Sequence, residues 1–454
     1  MKNYKEIKIK LKDKIPSRLL EAALFIDSRL KKSGYQSFLV GGSVRDLLLG
    51  KTISDLDFTT DAVPEDVMKI FNHSFPIGAA FGTVLVVYKK ISIEVTAFRT
   101  ETDYIDGRRP SKVQFGKDLH EDVIRRDFTV NGLAYDLDKE ILYDHVNGIN
   151  DIERGLIKTI GNPYERFRED GLRPIRGCRF MAALNFKMDD HTEKAMHKTL
   201  DIISLVAPER FYDEWKKTLN IRHKNIFWTS LRRNNIFSIF FEEFINLRSN
   251  NKLWQILMQL ITDFRMKNMS VYAACFIYFE FCFSQENMSQ KSNFDLLPIK
   301  NFFKRSRFPA KTAKLSLELL NSPFIELFSA PQNDKNDNYS IKRAISKVGL
   351  SNLWSHIRFS TIIITVNKGY SLLKKENFMR TYYLPIKNIV LQKVPLFLND
   401  LEINGNDLLS IGYQGKNISK ILDYLMDFVL QNIKNNDRKI LLEIAKNNLM
   451  NYQD

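Results

Sequence analysis

The chain has 454 residues, 44% of them apolar, and a formal net charge of +15; this size exceeds one hydrophobic core and predicts two to four globular domains. The excess of positive charge suits a phosphate-rich partner whose counterions it would release, although charge alone does not separate RNA from DNA or from an anionic membrane. No run of eighteen apolar residues occurs, the amino-terminal MKNYKEIKIKLKDK lacks the apolar stretch of a signal peptide, and Cys178, Cys275 and Cys282 form no CxxC pair, which argues against a membrane span, a disulfide scaffold and a zinc site and predicts a soluble cytoplasmic protein.

In chain order, FLVGG and VLVVY read as buried strands, ISIEVTAF as a strand of period two, and SVRDLLLG between them as a short helix ended by Gly50. An α/β domain over residues 1–160 follows from these elements and from the glycines gathered there. From about Asn162 the pattern turns helical, notably in RFREDGLRPIRGCRFMAALNF, where apolar positions recur beside a basic face. PQNDKNDNYS at 331–340 is polar and without periodicity, the mark of an exposed loop. The last stretch opens with a turn at Asn404-Gly405 and then carries helical spacing through Ile421, Leu422, Leu425 and Val429.

The chemistry concentrates early. In SDLDF, Asp55 and Asp57 lie two apart, so on a strand both carboxylates face one way and Leu56 and Phe58 the other. Two like charges side by side need a cation, and metal ions bridging triphosphate oxygens are the usual answer in phosphoryl transfer. Glu94, between Ile93 and Val95, would bring a third oxygen from a neighbouring strand. A lone DxD is more often an exposed turn or capping pair; its weight here comes from the segment upstream, where a strand runs into Gly41-Gly42 and a helix starting near Ser43. Glycines let backbone approach phosphate, first-turn N–H groups favour negative charge, and Ser43 and Arg45 add a hydroxyl and a guanidinium. Asp46 reads as the structural partner of Arg45.

GGSVRDLLLG followed by DLDF resembles the nucleotidyltransferase superfamily that includes DNA polymerase β. RRDFTVNGLAY at 125–135, EDGLRPIRGCRF at 169–180 and APER at 207–210 resemble the ordered motifs of bacterial class II CCA-adding enzymes and their poly(A) polymerase relatives, and INGNDLLSIGYQGKNISKIL resembles the C-terminal domain of the CCA-adding branch. The resemblance implies a polymerase β-like α/β head (1–160) followed by an all-α neck (161–225), body (226–390) and tail (391–454). It further implies CCA addition to tRNA from CTP and ATP with Mg²⁺, no DNA partner and no membrane. Asp55 and Asp57 would bind the metals, Gly42, Arg45 and Arg126 the triphosphate, and Asp170, Arg173, Arg176 and Arg179 the nucleotide, with Asp127 bracing the site. A poly(A) polymerase, and a tRNA-binding protein without catalysis, stay open as alternatives.

Cytosine and adenine both present a donating amino group beside an accepting ring nitrogen, whereas guanine and uracil present the reverse. A carboxylate and a guanidinium side by side would therefore accept C and A and reject G and U. Asp170 and Arg173, at i and i+3 of the predicted helix, are that pair, although Pro174 requires Arg173 to lie in the first turn. TETDYIDGRRPSKVQF is polar, with Asp106-Gly107 and two arginines before Pro110; DGRRP resembles the family's loop that helps the pocket change from C to A. Phe180, Ala183 and Leu184 read as core, and Asp190-His191 as a surface helix end.

Overall fold

The computed structural model describes residues 4–78, 82–105, 109–282, 296–329, 338–367 and 382–449. The chain divides into two compact units, Met1–Arg248 with Lys304–Arg307, and Ser249–Phe303 with Phe308–Asp454. No helix among the described residues is long and apolar enough to cross a membrane.

The first unit opens with strands β1 (Lys5–Lys8), β2 (Ser37–Val40), β3 (Asp57–Thr60), β4 (Ser74–Gly78), β5 (Thr83–Tyr88) and β6 (Ile91–Ala97). β7 (Arg99–Ile105) and β8 (Arg109–Phe115) pair only with each other, and β9 (Leu133–Asp136) and β10 (Ile141–Asp144) return to the main sheet, whose order is β1-β10-β9-β2-β3-β6-β5-β4. Every residue of β2 is buried, as the apolar run Phe38–Val40 requires of a central strand. β2 runs antiparallel to β3 with Val40 opposite Asp57, and β3 runs parallel to β6 with Asp57 opposite Glu94. These two registers bring the Gly-Gly turn and the acids to one end of the sheet. The strand starts at Asp57, so Asp55 stands just before it, yet the expected alternation holds: Leu56 and Phe58 are buried while Asp55 and Asp57 are exposed.

Helices α1 (Ser17–Lys32), α2 (Gly42–Leu48), α3 (Pro64–Ile70), α4 (Leu119–Ile124) and α5 (Gly148–Glu153) accompany the sheet. The segment read as one long helix from Arg166 is two, α6 (Pro163–Glu169) and α7 (Leu172–Leu184). They part at Gly171, where a Cβ would lie 2.5 Å from the carbonyl oxygen of Ile202, so only glycine permits that approach. Asp170 therefore precedes α7 instead of sharing its face with Arg173, and Pro174 falls in the first turn, where its missing N–H costs no helical bond. Then follow α8 (Asp190–His197), α9 (Leu200–Ser204), α10 (Pro208–Thr218) and α11 (Lys224–Arg233). Asp189 caps α8 by accepting from the Thr192 backbone N–H, which leaves Asp190 and His191 at a surface helix end.

Among its described residues, the regular elements of the second unit are all helices. One cluster of its buried side chains reaches from Phe324 to Ala445, and in it Leu408, Tyr413, Ile421, Leu425 and Val429 are almost fully buried while Leu422 packs at the edge. Asn404 serves as a helix cap: its side chain accepts from the backbone of Asn406 and Asp407, and Asp407 reciprocates. Residues 331–337 of the polar stretch, residues 106–108 of the predicted loop and the side chains of 109 and 110 lie outside the described residues; Asn338–Ser340 already belong to a helix.

Candidate active site

At the end of β2 the chain turns through Gly41 at φ +76°, a left-handed value that other residues resist. A Cβ there would sit 3.6 Å from Asp57 Oδ2 and 3.9 Å from Arg126 Nη1, so bare backbone faces both an acid and a guanidinium. Ser43 is buried, and its hydroxyl donates to the Val40 carbonyl at 3.0 Å; that hydroxyl ties the turn together and is not offered to a ligand. Arg45 donates twice to Asp46, at 3.0 Å each, and once to Asn131 Oδ1 at 2.5 Å.

Asp57 opens onto solvent yet lies low in the cleft. Burial by the surrounding protein raises its carboxyl, repulsion from Glu94 and then Asp55 adds to this, and Arg126 opposes both, leaving it at about 6. Asp57, with the carboxylates of Glu94 and Asp55 close enough to repel it, belongs to a set of hard oxygen donors suited to a divalent cation. Among the described residues no group of three or more ligating side chains is already gathered at metal-holding geometry.

Facing the acids is a wall of arginines. Asp122, fully buried within α4, holds Arg125 at 2.5 Å and Arg126 at 2.8 Å and accepts from the Thr59 hydroxyl at 3.2 Å. Burial alone would raise its carboxyl, but the charges of Arg126 and Arg125 outweigh it and hold it below the usual range. Asp127 behaves alike. Burial is overcome by the Arg176 charge and by hydrogen bonds from Arg176, Asn131 and the Phe128 N–H, and the carboxyl is held down to about 2. Arg45, Asn131, Asp127 and Arg176 thus form one continuous chain of hydrogen bonds between α2 and α7.

The cleft so formed has a volume of about 430 Å³. Among the described residues it is lined by Gly41, Gly42, Arg45, Asp57, Arg126, Asp127, Asp170, Arg173 and Arg176, all singled out from sequence, and also by Arg99, Arg125, Asn131 and Phe180. Asp55, Glu94, Ser43 and Arg179 are not in that lining. Arg179 turns to Glu214 at 2.5 Å, a buried acid that also takes Lys217 at 2.8 Å. Sequence reasoning missed Arg99, for which there was no signal, and also Arg125 and Asn131, both of which lie inside RRDFTVNGLAY.

The expected pairing of Asp170 with Arg173 is replaced by another. Asp170 receives a bidentate pair from Arg210 at 3.0 and 2.8 Å, and its Oδ1 also accepts the Leu172 N–H. Arg173, only 7% exposed, donates to Glu169 and to the Arg166 carbonyl at 2.8 Å. Arg166 itself binds the carbonyls of Arg125 and Arg126. Arg210 belongs to APER, so the motif carried the residue but not its partner.

Residues 37–158 match the family model described as the poly A polymerase head domain, and residues 185–247 the one described as the probable RNA and SrmB-binding site of polymerase A. The CCA-adding enzyme of Staphylococcus epidermidis is 44% identical over 201 residues, covering 44% of this chain and 50% of that one. That of Bacillus subtilis is 39% identical over 243 residues, covering 50% of this chain and 61% of that one. The chain thus matches about half the length of these curated relatives. Among solved structures, the Bacillus stearothermophilus CCA-adding enzyme in complex with CTP superposes with a TM-score of 0.74 at 25% identity, over 96% of this chain and 99% of that one. The Thermotoga maritima CCA-adding enzyme complexed with tRNA shares the fold, at 18% identity and a TM-score of 0.65 over 99% of this chain and 100% of that one.

Proposed function

We propose that this chain, whose α/β head and helical remainder have the architecture of the CCA-adding enzymes, is itself a CCA-adding tRNA nucleotidyltransferase. It would add C, C and A to the tRNA 3′ end from CTP and ATP without a template. The observation that carries this reading is one cleft in which an acid of raised pKa faces a wall of anchored arginines, a pairing that suits a metal-bound triphosphate better than any neutral substrate.

Asp55 and Asp57 would hold divalent cations, Mg²⁺ by their oxygen donors, and Glu94 would add negative charge from the next strand. Bound there, such ions neutralise charge on the triphosphate oxygens as the RNA 3′ hydroxyl displaces pyrophosphate. Gly41 and Gly42 bring backbone to the triphosphate, while Arg45, Arg126 and Arg176 bind it and Asp127 keeps Arg176 aimed. At the base end Asp170 would accept from the amino group of C or A. Arg173 would donate to the ring nitrogen, a contact for which its hold on Glu169 must loosen. The neck at 161–225 would carry this base recognition, the body at 226–390 and tail at 391–454 would grip tRNA, and the setting would be cytoplasmic.

The poly(A) polymerase reading has support in the head-domain match and differs in its product. Purified protein is incubated with tRNA lacking its 3′ end and each labelled triphosphate in turn. Incorporation of C and then a single A is expected, and a ladder of long A tails would replace this reading with polyadenylation.

A further inference from the structure

Phe180 reads from sequence as core, and it is 93% covered, yet it also lines the cleft. Its ring is braced edge-to-face by Phe128 at 5.7 Å. Around it stand the guanidinium carbons of Arg179, Arg176 and Arg45, at 4.1, 5.5 and 5.6 Å from the ring centroid. All lie within the range over which a ring quadrupole attracts a cation. We propose that Phe180 is a positioning residue for triphosphate binding, its ring gathering the three guanidiniums so that those of Arg45 and Arg176 face the cleft together; this rests on the cleft being the triphosphate site proposed above.

Three like charges around one point repel, and each already has a partial anchor: Arg45 on Asp46 and Asn131, Arg176 on Asp127, Arg179 on Glu214. A further carboxylate in place of the ring would cancel more of the repulsion, but it would also occupy N–H donors and neutralise the charge that a triphosphate must meet. An aromatic face does neither. It attracts cations through its π cloud, accepts no conventional hydrogen bond, and leaves the planar donor edges of the guanidiniums for phosphate oxygens. Arg45 is on α2 and Arg176 and Arg179 are on α7, so the ring also joins arginines from two elements far apart in the chain.

The test is titration of the full-length protein with inorganic triphosphate, followed by calorimetry, beside steady-state kinetics with CTP. Phe180→Leu keeps an apolar side chain and loses the quadrupole; it should weaken inorganic triphosphate roughly three- to tenfold and raise the KM for CTP in proportion, with kcat at saturation close to wild type. Because the leucine variant could pack poorly, a second series replaces Phe180 with phenylalanines of increasing fluorination, which keep the shape while weakening the π face. Affinity for inorganic triphosphate should fall stepwise along it. Constant affinity across that series overturns the proposal, as does a wild-type protein that binds no inorganic triphosphate. A wild type that binds it but adds no nucleotide to tRNA leaves the role of Phe180 standing and removes only the catalytic reading.

Discussion

Asp57 is the residue on which the proposed chemistry turns. Asp57→Ala should abolish nucleotide addition and leave tRNA affinity unchanged. The metal-free protein should melt no lower than wild type, since removing one of three mutually repelling acids relieves Glu94 and Asp55. Cation-dependent addition at the wild-type rate would remove Asp57 from the site. Asp127 contributes in the opposite sense. Its folded carboxyl, at about 2, is depressed from about 3.9 in an unfolded chain, so its stabilisation is present above the unfolded value and is lost as pH falls through the folded one. This corresponds to about 2–3 kcal/mol at pH 7 and roughly half of that at pH 3. Denaturant unfolding of Asp127→Asn should therefore show its deficit at pH 7 and a smaller one at pH 3; a deficit independent of pH would assign the loss to packing. Arg173→Ala and Arg210→Ala should each weaken discrimination of CTP and ATP against UTP and GTP. One removes the donor proposed for the base, and the other frees the carboxylate proposed to accept from it. Misincorporation measured with each triphosphate decides, and an unchanged preference with a lowered rate would make either residue structural.

At the scale of elements, local rules predicted well wherever one face of a strand or helix had to be buried. β2, β5, β6 and α2 stand where their apolar patterns place them. The break between α6 and α7 was not legible in the same way, because it depends on the Ile202 carbonyl crossing at Gly171, a contact supplied by α9. Nor was the cap at Asn404, where an Asn-Gly pair reads as a turn until Asp407 is seen to close a capping box. β7 pairs with β8, Ile105 opposite Arg109, and the family's loop motif, Asp106 to Pro110, includes the residues that connect these strands in sequence. Replacing these five residues by a short Gly-Ser turn should spare addition of the two cytidines and impair the final A, if this segment helps re-form the pocket for adenine. Equal loss of all three additions on sequencing gels would contradict this.

For the molecule as a whole, the difference between adding three nucleotides and adding many is whether RNA stays fixed while its end grows. One cluster of the second unit reaches from Phe324 to Ala445, and the helix Lys416–Gln431 packs on Asn338–Val348, so removal of everything after Leu398 would uncover Ile341 and Ile345 of that helix, at about 1.5–3 kcal/mol for each large side chain uncovered. Charge reversal on the surface is the better probe. Lys416 and Lys420 are exposed on successive turns of one helix, and Lys416→Glu combined with Lys420→Glu should weaken tRNA binding, flatten its salt dependence and blur the length of the product, with folding intact. Tight binding and a single product length from that variant would exclude this face from the RNA grip.

The amino-acid sequence by itself determined the α/β head, the helical remainder, the Gly-Gly turn and the exposed acids beside it, because each follows from periodicity or from conformational needs satisfied within a few residues. Only the tertiary structure decided which side chains answer one another. Arg45 finds Asn131 across 86 positions, Arg176 finds Asp127 across 49 and Arg210 finds Asp170 across 40. A guanidinium takes whichever acceptor the packing of helix on sheet brings within about 3 Å, and spacing along the chain carries no record of that choice.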